Sequence, residues 1–101
     1  MKTFEKVLEI FREYLDCDRE EEVLKCSQGY LRVTWNGTSR FCVDGILSRT
    51  PDELFEVLLS DYSSYELIQR TKGRREVTEE DERQAEILCQ GFRERWEEEE
   101  K

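Results

Sequence analysis

The pair Asn36-Gly37, together with the residues before it, constrains the fold of this chain more than any other feature. Leu31, Val33 and Trp35 alternate with polar residues, which is typical of a strand with one buried face. Asparagine followed by glycine is favoured where a tight turn needs positive φ angles. The pattern therefore predicts a β-hairpin around this turn.

The hairpin is predicted over residues 30–44, with an odd loop and a bulge at the glycine of the turn. A two-residue loop would place Val33 opposite Arg40 and would mix apolar and charged side chains on both faces. An odd loop separates them. It places on one face Leu31, Val33, Phe41 and Val43. It places on the other face, expected to be the outer one, Tyr30, Arg32, Thr34, Arg40 and Cys42.

Apolar residues at helical spacing precede the hairpin. They recur at steps of three and four, which predicts a first helix with Thr3 as its N-cap. The residues of this stripe are Phe4, Val7, Leu8, Phe11, Tyr14 and Leu15. The acidic stretch at residues 16–22 ends the pattern, and a short strand is predicted at residues 23–26.

After a predicted turn at Asp44-Gly45, a second helix is predicted to begin at Thr50-Pro51. Threonine is placed to cap this helix, proline to occupy its first position and Glu53 to close a capping box. We expect the helix to end near residues 60 and 61. The pattern at residues 65–68 fits a helical turn and an edge strand equally well.

Thr78 is predicted to cap the last helix, which opens with four acidic residues at the positive end of the helix dipole. The predicted buried stripe of this helix contains Ala85, Leu88, Cys89, Phe92 and Trp96. Glutamates crowd the negative end of the same dipole, so we expect residues 97–101 to be frayed.

Taken in order, these elements predict an α+β fold. An N-terminal helix comes first, followed by a small three-stranded antiparallel sheet, a meander that includes the hairpin. Two or three helices then pack on one face of the sheet. With 101 residues, the chain is expected to form a single domain, residues 1–101, with a thin core.

The charge of the chain limits the function classes open to it. Asp and Glu number 25 against 16 Lys and Arg, the formal net charge is -9, and there is no histidine. Serine and cysteine nucleophiles usually need a histidine as general base. Almost every carboxylate falls on a predicted solvent face, which is unsuited to acid–base catalysis. The sequence therefore favours a binding protein over an enzyme.

No cofactor or metal site is predicted. Cys17, Cys26, Cys42 and Cys89 lack the close pairs of zinc or redox motifs, so we expect them to be reduced, buried and structural. The sequence contains neither a glycine-rich phosphate loop nor a calcium loop. Its apolar runs are too short for a membrane span or a secretory signal, so a cytoplasmic protein without membrane contact is expected.

The order of helix, three strands and helix resembles the topology of the double-stranded RNA-binding domain. That family needs lysines at the start of its final helix to contact phosphates. The corresponding residues here are Glu79, Glu80, Asp81 and Glu82. Their charge would repel a nucleic-acid backbone, so direct nucleic-acid binding is not expected.

Three surfaces are candidates for binding a partner. The acidic surface of the last helix is predicted to consist of Glu79, Glu80, Asp81, Glu82, Glu86 and Glu94, together with the terminal glutamates. The outer hairpin surface is predicted to consist of Tyr30, Arg32, Trp35 and Arg40, which include residue types enriched in interface hot spots. The third is a basic loop at residues 70–75. This loop would either bind a phosphate or an acidic partner, or pair with carboxylates of its own chain. The acidic composition of the chain favours pairing within the chain.

These features favour a small inhibitor that binds a basic, nucleic-acid-handling protein such as a nuclease, with the acidic helix imitating nucleic acid. In size, charge and lack of catalytic motifs, the chain resembles anti-CRISPR and anti-restriction proteins of phages and mobile elements. One alternative is an immunity protein that neutralises a nuclease toxin. Another is an adaptor that forms a homodimer through Trp35 or Trp96. The acidic helix would otherwise be an ordinary solvated face.

Overall fold

The structure, a computed structural model, describes residues 1–37 and 41–100. It has an α+β fold, as predicted, with two short N-terminal helices, a three-stranded antiparallel meander and two long helices. The elements are α1 (Phe4–Ile10), α2 (Arg12–Cys17), β1 (Glu21–Cys26), β2 (Gly29–Trp35), β3 (Cys42–Ser48), α3 (Pro51–Thr71) and α4 (Glu79–Glu98).

The predicted first helix is divided into α1 and α2 by a break at Phe11. Thr3 caps α1 as predicted, because its hydroxyl accepts a hydrogen bond from the Lys6 amide at 3.2 Å. Phe11 itself has a ψ of 10°. Its buried ring has a centroid 4.7 Å from that of Phe92 and 5.4 Å from that of Phe55. The break therefore occurs at the residue that joins the N-terminal segment to both long helices.

The three strands lie in the order β1-β2-β3, and each is antiparallel to the next. β1 contains the predicted strand at residues 23–26. The predicted turn at Asp44-Gly45 is wrong, because β3 continues through both residues. Gly45 is packed between β2 side chains: a Cβ atom there would lie 3.7 Å from Leu31 Cδ1 and 3.9 Å from Val33 Cγ1.

The register of the hairpin also differs from the prediction. Val33 pairs with Gly45, and Trp35 pairs with Cys42 after a bulge between Thr34 and Trp35. A bulge is thus present, but not at the glycine of the turn. The predicted odd loop is also wrong, because six residues, 36–41, separate the paired Trp35 and Cys42. Because cross-strand partners share a face, Cys42 lies on the Val33 side of the sheet and not on the side predicted for it.

Helix α3 begins at Thr50-Pro51 as predicted and ends much later. The predicted capping box is not formed, because the Glu53 carboxylate accepts from the Thr50 hydroxyl at 3.3 Å and not from the Thr50 amide. The Thr50 hydroxyl accepts from the Glu53 amide at 3.2 Å. The helix then passes the predicted end at residues 60 and 61 and stops at Lys72, whose φ of 57° is left-handed. The segment at residues 65–68 is therefore helical.

Aromatic packing explains the length of α3. The ring centroids of Tyr62 and Tyr65 lie 5.5 and 5.2 Å from that of Tyr14 in α2, both in edge-on contacts. These contacts hold residues 61–65 on the core in helical geometry. Tertiary packing therefore overrides the turn-forming preference of the aspartate and serines in this segment.

Helix α4 begins at the predicted cap, and Thr78 and Asp81 form a complete capping box. Ala85, Cys89 and Trp96 are buried along it, as predicted. The prediction for Leu88 is wrong, because this side chain is 44% exposed.

The helices cover the polar face of the sheet. Tyr30 contacts Phe4 of α1 with ring centroids 4.4 Å apart, and Arg32 Nε lies 3.0 Å from Asp61 Oδ2 of α3. The outer position predicted for Tyr30 and Arg32 is therefore wrong. Successive strand residues point to opposite faces, so Leu31 and Val33 point away from the helices.

Candidate partner-binding surfaces

The exposed carboxylates of α4 form rows along the helix. Glu79, Glu82 and Glu86 are separated by three and four residues, which places neighbouring Cβ atoms about 5–6 Å apart. Glu80 and Glu94 project from an adjacent strip of the helix surface. All five side chains are exposed, as predicted. We call these five residues the acidic α4 surface.

Most of this surface has no internal counter-charge. Within the part of the chain that the structure describes, no Lys or Arg is at ion-pair distance from Glu79, Glu82, Glu86 or Glu94. Glu80 differs, because it pairs with Arg83 one turn further along the helix. The surface therefore presents negative charge that a partner can neutralise.

Asp81 was predicted on this surface and is buried instead. Its side chain is 3% exposed, and it accepts from the Thr78 amide at 3.0 Å. Arg75 binds both carboxylate oxygens, from Nη1 at 2.6 Å and from Nη2 at 3.0 Å, and Arg70 Nε donates at 3.1 Å. Hydrogen bonds from Arg75, followed by that from the Thr78 amide, hold the pKa of Asp81 well below its usual range.

The basic loop therefore pairs with its own chain, which is the interpretation that the sequence favoured. Arg70 and Arg75 both bind Asp81, and Arg75 also donates to the Arg70 carbonyl oxygen at 3.3 Å. These contacts fix the end of α3 against the start of α4. Lys72 and Arg74 are exposed on the same loop.

Arg32 is the centre of a buried polar cluster between the sheet and the helices. Its side chain is 6% exposed, and Nε lies 3.8 Å from Glu21 Oε1 as well as close to Asp61. Its Nη1 atom donates to Thr34 Oγ1 at 2.8 Å and to Asp44 Oδ2 at 3.3 Å. A guanidinium can be buried here because carboxylates surround it.

Two groups of this cluster have strongly raised pKa values. Burial, with a smaller contribution from the Glu21 carboxyl, raises the pKa of Asp61 to about 7, and Arg32 offsets only part of this effect. The Tyr14 hydroxyl lies 2.8 Å from a Glu21 carboxylate oxygen and 2.9 Å from an Asp18 carboxylate oxygen, and its single hydrogen is shared between these two acceptors. Burial and these two acceptors raise the pKa of Tyr14 above its ordinary value.

The cluster opens into a cleft of about 420 Å³, lined in part by Glu20, Asp61, Ser64 and Tyr65. The Asp61 carboxyl therefore lies beside a space that a small molecule could enter. This group was not predicted from the sequence, because the second helix was expected to end near residues 60 and 61. One feature of the sequence did point to it. Arg32 is a charged residue at the centre of the middle strand, where burial is greatest, so it needed buried carboxylates as partners.

The face of the sheet opposite the helices is mainly apolar. We call it the outer sheet face, and alternation along the strands assigns to it Glu22, Leu24, Cys26, Leu31, Val33, Trp35, Cys42, Gly45 and Leu47. Trp35 is partly exposed on it, and its Nε1 donates to Glu22 Oε1 at 2.8 Å. Of the four hairpin residues predicted as a contact surface, Tyr30 and Arg32 lie on the opposite face, and Arg40 lies outside the described residues.

The cysteines do not share one environment. Cys89 is buried, as predicted, and burial raises the pKa of its thiol. The prediction is wrong for Cys17, Cys26 and Cys42, which are exposed.

Residues 1–37 and 41–100 contain no group of three or more His, Cys, Asp and Glu side chains placed to hold a metal ion. Among the helices described, none has the length and apolar character needed to cross a membrane.

Comparison of the chain with protein-family models, with curated proteins and with solved structures found no match. The roles assigned to its surfaces therefore depend on their geometry and charge.

Proposed function

We propose that the protein is a small acidic inhibitor that binds a basic, nucleic-acid-handling protein through the acidic α4 surface. The observation that most supports this is the row Glu79, Glu82 and Glu86, which is exposed and has no ion-pair partner among the described residues. Unpaired surface charge attracts an oppositely charged partner and speeds encounter with it. The partner would be a nuclease or another nucleic-acid-binding effector.

The spacing of the row supports imitation of a nucleic-acid strand. Three carboxylates over two helical turns correspond to about one charge per 5 Å of helix axis. One strand of DNA carries one phosphate per about 3.4 Å of axis. A groove that binds a phosphate backbone would therefore meet a similar, sparser row of charges. The protein would act in the cytoplasm, in the manner of anti-CRISPR and anti-restriction inhibitors, without catalysis of its own.

Ile87 supports a protein partner over a simple solvated helix. It lies seven residues from both Glu80 and Glu94, on the same strip of α4, and its side chain is 57% exposed. An exposed apolar side chain two helical turns from each of these glutamates adds nothing to solubility. It does provide a contact that becomes buried when the surface is covered by a partner.

Charge reversal with a matched control tests the proposal. The first variant changes Glu79, Glu80, Glu82 and Glu86 to Lys. The control variant changes Glu9, Glu13, Asp16 and Glu20 to Lys, which alters the net charge equally at exposed positions of the N-terminal segment. Partners are captured from native host lysate, identified, and titrated against each folded variant at low and moderate salt.

We expect the α4 variant to lose the partner, mainly through slower association, and the control variant to keep most of its affinity. Wild-type affinity should fall as salt increases, because exposed charges are screened beyond about 10 Å at 0.1 M ionic strength. Full binding by the folded α4 variant would reject this surface. Equal losses in both variants would show that only net charge matters, and an affinity independent of salt would reject electrostatic capture.

A further inference from the structure

The outer sheet face has the polarity that a buried face normally has. Antiparallel sheets usually bury an apolar face and expose a polar one. Here the buried face carries Arg32 and its carboxylate partners. On the other face Leu24 pairs with Leu31, and Leu31 pairs with Leu47, so a row of leucines crosses all three strands. Leu24, at one end of this leucine row, is 39% exposed.

The accessible surface of the molecule is large for its mass. It measures 7115 Å², whereas a compact monomer of 12.2 kDa exposes roughly 6,100 Å². The excess of roughly 1,000 Å² is similar to the roughly 800 Å² that each partner buries in a standard interface. The Cα extents of 40 × 39 × 18 Å show its origin. One layer of helices on one sheet gives a flat molecule. On the side away from the helices Leu24 is exposed, Leu31 and Leu47 are half-buried, and Val33 is buried.

We propose that the outer sheet face is the contact surface of a homodimer, in which the leucine rows of the two copies pack together. Charge favours a second copy over a basic partner at this site. Each copy carries -9, so two copies repel each other, and the repulsion is smallest when they meet through a face with little charge. Among the described residues assigned to this face, Glu22 alone is charged, and its carboxylate accepts from Trp35. A basic partner would find little charge to bind here.

The two sheets would stack face to face about 10 Å apart. The helical layer of each copy, including the acidic α4 surface, would remain on the outside of the dimer. Partner capture and dimerisation therefore use different surfaces and can be tested separately.

Sedimentation equilibrium of the full chain over a concentration series, at low and high salt, tests the dimer. We expect association that strengthens with salt, because screening weakens the repulsion between copies. Leu24→Glu places a charge in the leucine row and should give a monomer. Leu88→Glu makes the same change at a leucine of similar exposure, 44%, on α4 and should remain dimeric. Far-UV circular dichroism checks that both variants are folded.

Cysteine alkylation gives a second measurement on the unmodified chain. Cys26 and Cys42 lie on the outer sheet face, whereas Cys17 ends α2, and all three are exposed in the single copy. Their alkylation rates should separate as concentration rises, with Cys26 and Cys42 slowed and Cys17 unchanged. A wild-type chain that stays monomeric at every concentration would overturn the proposal. So would a dimer that leaves Cys26 and Cys42 reactive, which would place the contact at a strand edge or on a helix.

Discussion

Arg32 is surrounded by more carboxylates than one guanidinium can neutralise. It contacts Glu21 and Asp61 inside the molecule and Asp44 at the surface. If both buried carboxyls ionise, one negative charge is left uncompensated in a medium of low dielectric constant. Burial, together with the neighbouring Glu21 carboxyl, raises the pKa of Asp61 to about 7. The buried cluster therefore holds a proton that titrates near neutral pH.

Asp61 should make the stability of the fold depend on pH. Its pKa is raised from 3.8 to about 7 in the folded state, so between these values the folded state binds more protons than the unfolded state. The contribution of Asp61 to the free energy of unfolding therefore falls as pH rises through this window, by at most about 1.4 kcal/mol per pH unit. Asp61→Asn should remove that slope, measured by urea denaturation at a series of pH values.

Asp44→Asn is the matched control for this measurement. Asp44 contacts the same guanidinium, but its side chain is 58% exposed. This variant should retain the wild-type slope. If the slope were unchanged in Asp61→Asn, another group would be responsible for it, and the protonated state assigned to Asp61 would be wrong.

Leu88 shows how position around a helix decides whether a leucine belongs to the core. Ala85, Cys89 and Trp96 lie close to one line along α4 and are buried. Leu88 is one residue before Cys89 and thus about 100° away around the helix axis. Spacing along the sequence placed it within a wide apolar stripe. The contacts of α4 with its neighbours cover only the centre of that stripe.

Replacing leucines in the two long helices should therefore give very different losses of stability. Leu58 in α3 is fully buried, so Leu58→Ala should cost about 2–5 kcal/mol. Leu88→Ala should change the free energy of unfolding by no more than about 0.5 kcal/mol. Urea denaturation with comparable m values gives both numbers. A large loss at Leu88 would mean that this side chain is covered in solution.

For the whole molecule, self-repulsion opposes folding, because a charge of -9 is carried by only 12.2 kDa. Added sodium chloride screens this repulsion, so the free energy of unfolding should rise from low to moderate salt. Thermal unfolding at a fixed low protein concentration, where the chain is monomeric, measures the effect. A fall in stability would instead show that surface ion pairs such as Arg93–Glu56 outweigh the repulsion.

The proposed partner capture and the proposed dimer respond to salt in opposite directions. The first joins opposite charges and weakens with salt, whereas the second joins like-charged copies through an apolar face and strengthens. The salt dependence of an observed association therefore shows which of the two kinds it is.

Features that depend on neighbours within one helical turn or one strand could be predicted from the sequence alone. The caps Thr3, Thr50 and Thr78 bond to amides three residues ahead, so local spacing was sufficient to find them. The side-chain alternation in β2 and the exposed glutamates of α4 were predicted for the same reason. The α+β order followed from these elements.

Features that depend on residues far apart in the chain could be seen only in the folded protein. The helical segment around Tyr65 depends on Tyr14, and the burial of Arg32 depends on Asp61. Alternation divides β2 into two faces, but it cannot say which of them the helices cover. Asp81 is not part of the acidic surface, because it is buried in ion pairs with two arginines, one at the end of the preceding helix and one in the preceding loop. Each outcome depends on a contact formed only on folding, in which opposite charges or aromatic rings compensate for the cost of burial.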